Sequence, residues 1–366
     1  MTKTLMIAGG GTGGHIYPAI AIARAYLQRD PGRRVVFVGT GKGLERTIVP
    51  KAGFPLELIS VGGLKGKGGA DLLRNLASLP LGFVQAWRVV GRHQPSIVLG
   101  VGGYSSGPVL AAAALRRIPT MIHEQNAYPG LTNRMLAKFV RAVAVAFPDA
   151  LPRLKRKDGV VTGNPIRPEF FETRKRAGEN AGAPKRLLIF GGSQGSRILN
   201  ETMAGALLFM ARLRDQVEVV HQTGPNDLQK VGEAYRSSPF PNARVVPYLE
   251  AMAEEIGAAD LVVSRAGAMT IGELSATGRA AILVPFAAAT NNHQELNARV
   301  VEAAGGAVVI TEKELTPERL AAAISEILAD AQRARRMGEA SRTLAAPEAT
   351  ARIIDFIEKI QRNDLL

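Results

Sequence analysis

The 366-residue chain has no cysteine, which excludes disulfides, thiolate metal sites and cysteine nucleophiles. It contains no Asp-x-Asp anywhere, so the usual carboxylate clamp for a metal-bound diphosphate is missing. Aromatic residues make up only 5% of the chain, with a single Trp, too few to interleave with basic side chains as the stacking platforms of nucleic-acid modules do. No apolar run approaches the length of a membrane span, and a strand-like run that begins by Thr4 leaves no room for a signal peptide. What remains is the expectation of a soluble cytoplasmic protein with no metal and no cofactor, long enough for two domains of ordinary size.

Acidic residues are scarce in one half only. Residues 1–163 carry 22 Lys+Arg against 7 Asp+Glu, a net +15, and residues 164–366 carry 24 against 25, a net −1. That asymmetry points to a polyanion met by one domain, either nucleic acid or an anionic membrane surface. The low aromatic content favours the membrane, with a merely solubilising basic face as the plainer alternative.

Strand-like apolar runs alternate with helical patterns throughout, which predicts parallel α/β architecture. In the first half the candidate strands are 3–8, 34–38, 56–60, 96–100, 120–123 and 142–145. In the second they are 217–222, 243–246, 261–264, 280–284 and 307–310, after an opening strand at Leu187–Phe190. Between Phe147 and Pro184 the pattern lapses into prolines and a polar run, as at a domain boundary. Thr316-Pro317 reads as a capped helix start, and a last helix carries Ile353, Ile354, Ile357 and Ile360. The expected domains are residues 1–163, residues 164–345 and a terminal helix, 346–366, that packs back on the first. Two Rossmann-like parallel-sheet domains facing a central cleft, with a helical tail, outline a GT-B glycosyltransferase.

Three glycine-rich loops follow strands. Leu5-Met6-Ile7-Ala8 runs into Gly9-Gly10-Gly11-Thr12-Gly13-Gly14-His15 and then a helical apolar pattern. A strand, a glycine turn and a helix N-terminus make an anion site, since unpaired amides and the helix dipole point the same way. No acidic residue follows a second strand at the dinucleotide-fingerprint distance. Gly100-Val101-Gly102-Gly103-Tyr104 forms a second loop, and Gly191-Gly192-Ser193-Gln194-Gly195-Ser196-Arg197 repeats the first at an offset of 182 residues.

These loops, with His123-Glu124-Gln125-Asn126, Gly163-Asn164-Pro165-Ile166-Arg167 and the segment Arg265 to Glu273, resemble the MurG family. Its members are peripheral-membrane N-acetylglucosaminyltransferases of bacterial peptidoglycan synthesis. The matching motifs run in the family's order from residue 9 to about 297. The resemblance implies inverting transfer of GlcNAc from UDP-GlcNAc to the 4-hydroxyl of lipid I, giving lipid II, at the cytoplasmic face of the plasma membrane. It implies an anionic membrane surface and cell-wall synthesis or division proteins as partners, and no nucleic acid.

Residue by residue, it implies that Thr12, Gly13, Gly14, Asn126, Arg167, Ser193, Leu249, Ala268, Met269, Thr270, Glu273, His293 and Gln294 bind UDP-GlcNAc. Amides around Ser193 and the Arg167 guanidinium could meet the UDP charge without metal. A Glu273 carboxylate suits the vicinal hydroxyls of ribose, although an acid there could merely complement a helix dipole. His15 and Glu124 compete for the role of base toward the attacking hydroxyl, histidine being the residue type that titrates near neutrality. His15 could also be a helix-start residue bonded to backbone.

Other readings compete. An epimerase acting on UDP-GlcNAc or a transferase with another lipid acceptor could share the fold, and so could a non-catalytic nucleotide-sugar sensor. A membrane-docking stripe is expected on the segment Ala70–Arg92, with Leu72, Leu76, Leu79, Phe83 and Trp87 outward and Leu73, Leu81, Val84 and Val90 toward the core. Lys65, Lys67, Arg74, Arg88 and Arg92 surround it, and Pro80 should kink or break the helix.

Overall fold

The structure, a computed structural model, describes residues 3–62, 69–173 and 183–364, with side chains in the segment 69–79 left aside. The chain forms two compact units, Met1–Pro165 with Glu348–Leu366 (unit 1) and Ile166–Pro347 (unit 2).

Unit 1 is built on seven parallel strands, β1 (Thr4–Ala8), β2 (Arg34–Thr40), β3 (Leu56–Ile59), β4 (Ile97–Gly100), β5 (Thr120–Glu124), β6 (Ala142–Val145) and β7 (Val160–Val161). Their order across the sheet is β3-β2-β1-β4-β5-β6-β7. Strands β1, β4 and β6 are buried throughout, as both-faced coverage by helices requires. The order reverses at β1, whose neighbours are β2 and β4. That reversal opens a crevice at the carboxyl ends of β1 and β4, the place where open α/β sheets bind ligands.

Helices α1 (Gly13–Gln28), α2 (Glu45–Lys51), α3 (Gly69–His93), α4 (Ser106–Leu115) and α5 (Leu131–Leu136) connect the strands. The last helix, Ala349–Arg362, belongs to this unit. Its Ile353, Ile354, Phe356, Ile357 and Ile360 complete the core that Leu5, Ile7, Ile22 and Tyr26 begin. Each such side chain contributes on the order of 1.5–3 kcal/mol on burial. Arg33 pairs with Glu358 at 2.9 Å, and Gln361 Nε2 donates to Tyr26 Oη and Ser96 Oγ at 2.9 and 2.7 Å.

Helix α3 continues through Pro80, so the break expected there is absent. Its orientation also departs from the expected stripe. Phe83 packs against the core beside buried Ala86, Val89 and Val90, whereas Leu81 and Val84 are exposed together with Trp87. Gly82 decides the matter: a Cβ there would lie 2.6 Å from Val61 Cγ2 and 2.9 Å from the Ser60 carbonyl. Of the expected docking residues, Lys65 and Lys67 lie outside the described residues, as do the side chains of Leu72, Leu73, Arg74, Leu76 and Leu79.

Unit 2 repeats the design with six parallel strands, β8 (Lys185–Phe190), β9 (Val217–Gln222), β10 (Arg244–Val246), β11 (Leu261–Ser264), β12 (Ala280–Leu283) and β13 (Ala307–Val309), in the order β10-β9-β8-β11-β12-β13. Its reversal point is β8, between β9 and β11. Helix Pro317–Ala329 starts as its sequence predicts, with Pro317 first and Thr316 Oγ1 accepting from the Arg319 amide at 3.2 Å.

Candidate functional site

In unit 1 the polar side chains gather at the carboxyl ends of β1, β4 and β5. The first glycine loop leads into α1, whose N-cap residue Thr12 supplies no side-chain cap; its carbonyl takes the His15 amide at 3.2 Å, which leaves the amides of Gly13 and Gly14 as the uncapped donors of the first turn. The loop is held from below by Glu45 at the start of α2. This buried carboxylate accepts from the Gly11 amide at 2.8 Å and from the Thr40 amide and hydroxyl at 2.9 Å each. Nothing local in the sequence marks Glu45, because the loop it holds lies 34 residues away.

His15 stands in the first turn of α1. Its ring rests on Gly102, which takes φ +95; a Cβ at Gly102 would lie 2.9 Å from Cε1 and 3.1 Å from Nδ1 of the imidazole. Any larger residue would be strained there and would displace the ring. His15 Nδ1 lies 3.0 Å from Gln125 Oε1, and among the described residues nothing bonds Nε2. Behind Gln125 is His123, wholly buried, with its pKa pushed down to about 4 by desolvation against a smaller opposing hydrogen bond with Gly163.

Glu124, the expected rival of His15, is engaged elsewhere. Oε1 accepts from the amide and Nδ2 of Asn126 at 3.0 and 3.1 Å, and Oε2 from the Gly130 amide and Asn133 Nδ2 at 3.0 and 2.8 Å. Four donors on a carboxylate that is 1% exposed suit a group that shapes the loop 126–130 better than one that receives a substrate proton.

In unit 2 two helix N-termini flank the reversal point. The helix Arg197–Ala206 follows β8 through the third glycine loop, and the helix Ala268–Thr277 follows β11 through Arg265–Gly267; neither has a side-chain cap. Ser193 and Gln194 are exposed at the loop's tip, and Gln222 Nε2 supports the loop by donating to the Gly192 carbonyl at 3.0 Å. A buried network lies behind it. His221 meets Tyr235 Oη and Asn200 Oδ1 at 3.1 Å each, and Asn200 Nδ2 donates at 2.8 Å to Thr223 O and to Asp227 Oδ2. Burial holds His221 at a pKa of about 3.

Glu273 lies on the second of these helices, one turn beyond Ala268, Met269 and Thr270. Its carboxyl is pushed up to about 7, chiefly by desolvation; the Arg167 guanidinium opposes the shift and Glu169 adds to it. No group among the described residues hydrogen-bonds that carboxyl. Arg167 is half-exposed, bridged to Glu169 at 3.0 Å and stacked 4.9 Å from the Phe170 ring centre. Leu249 is buried after β10, beside exposed Tyr248.

After β12 come His293 and Gln294. His293 Nδ1 donates to the Thr290 carbonyl at 2.8 Å, which leaves Nε2 as the outward nitrogen. Gln294 Oε1 accepts from the amides of Phe286 and Ala266 at 3.0 and 3.3 Å, which orients its NH2 group away from the backbone.

The expected site residues therefore form two sets. Thr12, Gly13, Gly14, His15, Glu124 and Asn126 share one sheet edge of unit 1. Arg167, Ser193, Leu249, Ala268, Met269, Thr270, Glu273, His293 and Gln294 belong to unit 2, all but Arg167 beyond the carboxyl ends of its strands. The residues that support them, namely Glu45, Gly102, His123, Gln125 and Asn133, carried no assigned role at the sequence level. Three polar residues in succession at the buried end of β5 were the available signal. Among the described residues no helix is long and apolar enough to cross a membrane.

Residues 5–145 match the glycosyltransferase family 28 N-terminal domain, and residues 186–353 the family's C-terminal domain. The UDP-N-acetylglucosamine–N-acetylmuramyl-(pentapeptide) pyrophosphoryl-undecaprenol N-acetylglucosamine transferase of Anaeromyxobacter sp. (strain K) is 47% identical over 359 residues, covering 98% of this chain and 93% of its own. The transferase of the same name from Syntrophotalea carbinolica is 43% identical, with 98% and 99% covered. The crystal structure of Acinetobacter baumannii MurG superposes with a TM-score of 0.82 at 32% identity, covering 98% of this chain and 99% of that one.

Proposed function

We propose, from the premise that the chain belongs to glycosyltransferase family 28, that it moves GlcNAc from UDP-GlcNAc to the 4-hydroxyl of undecaprenyl-pyrophosphoryl-MurNAc-pentapeptide (lipid I). The product is lipid II for peptidoglycan synthesis, formed with inversion. The acceptor oxygen bonds to C1 of GlcNAc as the C1–O bond to the β-phosphate breaks, and the electron pair leaves on UDP. His15 Nε2 takes the hydroxyl proton, and Glu124 acts by positioning Asn126 and its loop.

The donor is assigned to unit 2. The Glu273 carboxylate accepts from the two ribose hydroxyls, and the backbone at Leu249 meets the uracil edge. First-turn amides of the two helices, those of Ala268, Met269 and Thr270 and those following Ser193, meet the diphosphate together with Arg167. His293 and the NH2 group of Gln294 hold the sugar. Thr12, Gly13, Gly14 and Asn126, on the sheet edge of unit 1, are assigned to binding UDP-GlcNAc as well.

The observation that carries this reading is Glu273. A desolvated carboxyl with a raised pKa and no partner among the described residues, near the Arg167 guanidinium and in the second turn of a helix whose N-terminus is uncapped, is an incomplete hydrogen-bond set that a nucleotide completes. The test is UDP release from UDP-GlcNAc with and without a lipid I analogue. Release should depend on the acceptor and match the lipid II formed; equal release without acceptor overturns the transfer reading.

Because the acceptor is a membrane lipid, the enzyme works as a peripheral protein on the cytoplasmic face of the plasma membrane. Helix α3 presents Leu81, Val84 and Trp87, and the end of α4 presents Leu115. The Arg116 guanidinium covers the Trp87 ring at 4.0 Å, and Arg88, Arg92 and Arg117 are exposed close by in sequence. Apolar side chains ringed by cations suit an anionic leaflet, each cation adding about 1 kcal/mol.

A further inference from the structure

We propose that His123 and Gln125 are positioning residues that lock His15 into the tautomer whose Nε2 carries the lone pair. The inference rests on the reading of His15 as the base and adds how its proton inventory is set.

The hydrogen bonds leave one consistent assignment. The Gly163 carbonyl can only accept, so His123 Nε2, 3.1 Å away, carries a proton. His123 is fully buried and its imidazole neutral, burial holding its pKa at about 4. A neutral ring has one N–H, so Nδ1 of His123 is an acceptor. Gln125 Nε2, 3.2 Å away, donates to it and lies 3.2 Å from the His123 carbonyl as well.

That fixes the amide, which bonding partners rather than atom identity must orient. Reversing it would set Gln125 Oε1 against the lone pair of His123 and the His123 carbonyl, three acceptors together. Gln125 Oε1 therefore faces His15, and His15 Nδ1, 3.0 Å away, must donate. In neutral His15 the only proton is thereby spent on Gln125, and Nε2 is left unprotonated.

The path is Gly163 carbonyl, His123, Gln125, His15, every link a neutral hydrogen bond within unit 1. Gly102, with no Cβ, leaves the space in which the imidazole lies at this distance from Gln125. Asn164 Nδ2 anchors the backbone by donating to the Gln125 carbonyl at 3.0 Å. A free neutral imidazole favours the opposite tautomer, with the proton on Nε2, where it blocks proton abstraction. The relay thus holds His15 in the form that can accept a proton, with no carboxylate to make the imidazolium permanent.

The test uses the full chain labelled with 15N-histidine. Its five histidines are assigned by single His→Asn variants and read by long-range 1H–15N correlation at about pH 8, where imidazoles are neutral. The relay expects His15 protonated on Nδ1 and His123 on Nε2. It expects Gln125→Met to move His15 toward the Nε2–H form and to lower kcat about 10–100-fold, part of what a general base supplies. The KM for UDP-GlcNAc should stay within about twofold, because the change touches the base and not the donor.

A wild-type His15 protonated on Nε2 overturns the relay, and this reading does not depend on whether Gln125→Met folds. Loss of kcat in Gln125→Met with an unchanged His15 tautomer overturns it too, since that is a structural effect. His15→Ala is measured alongside. If it keeps its kcat, the base assignment fails while the tautomer result stands separately.

Discussion

The two units are built alike and equipped differently. Each has an open parallel sheet whose strand order reverses at its first strand, and each puts a glycine loop and a helix N-terminus at that reversal. Yet unit 1 carries 25 Lys+Arg against 11 Asp+Glu, whereas unit 2 carries 21 of each, so the formal +14 of the protein belongs wholly to unit 1. The titrating groups differ in the same way. Unit 1 presents an imidazole whose bonding partners are all neutral, and unit 2 a carboxyl with no bonding partner among the described residues. One architecture thus places a glycine loop and an uncapped helix N-terminus at its reversal strand twice, and surrounds the two with different side chains.

That contrast can be broken at its strongest point. His15→Ala should lower kcat by roughly 10²–10⁴, the range for general base catalysis, while calorimetric UDP affinity stays near the wild type. A matching loss of UDP affinity would mean that the units do not divide chemistry from donor binding.

The reciprocal change is in unit 2. Glu273→Ala should weaken UDP-GlcNAc by about 1.5–3 kcal/mol, the worth of hydrogen bonds to a charged group, and so raise KM more than it lowers kcat. With the Glu273 pKa at about 7, the accepting carboxylate gains population as pH rises, so wild-type donor affinity should increase from pH 6 to 8. Glu273→Gln should flatten that rise; an unchanged slope removes Glu273 from the ribose.

Acid sharpens the comparison through the buried histidines. Both have folded pKa values below the ordinary 6.5, about 4 for His123 and about 3 for His221. The unfolded chain therefore binds protons first, and stability present above pH 6.5 is lost as pH falls toward those values. At pH 5 the loss is about 2 kcal/mol for each unit, with unit 1 levelling off near pH 4 and unit 2 nearer pH 3. Glu273 acts in the opposite sense, since its raised pKa costs unit 2 stability as pH rises from 4.5 through 7. Urea midpoints taken across this range check both signs.

The smallest effect concerns the surface. Replacing Leu81 and Trp87 together by Glu should cut binding to anionic vesicles by roughly tenfold or more, at about 1 kcal/mol per side chain. Turnover of a short-chain soluble acceptor should persist. Vesicle binding that survives the change moves the docking face elsewhere on the basic unit.

Most of the sheet was legible because buried parallel strands advertise themselves as short apolar runs. Leu261–Ser264 and Val217–Gln222 stand where their patterns end. The pair Val160–Val161 escaped notice, being an exposed two-residue edge with no periodicity to read. Helix α3 was legible in its outer bounds but not in its passage through Pro80 or in its facing. Its apolar residues supply two stripes, and the small residues Gly82 and Ala86, which allow the close approach, marked the buried one. The supports of the site were invisible for another reason. The His15–Gln125 bond joins residues 110 apart, the His123–Gly163 bond 40 apart and the Glu45–Gly11 bond 34 apart, and no local pattern encodes such pairings.

The last helix has a consequence for how the protein is made. Unit 1 opens the chain, but five of its core side chains lie on Ala349–Arg362 and leave the ribosome after the whole of unit 2. Domains generally complete themselves in the order of synthesis; here the order is inverted. Unit 2, being continuous, can close while unit 1 still exposes the apolar faces of α1 and β4 that the helix will cover. The half first translated is the last to be finished.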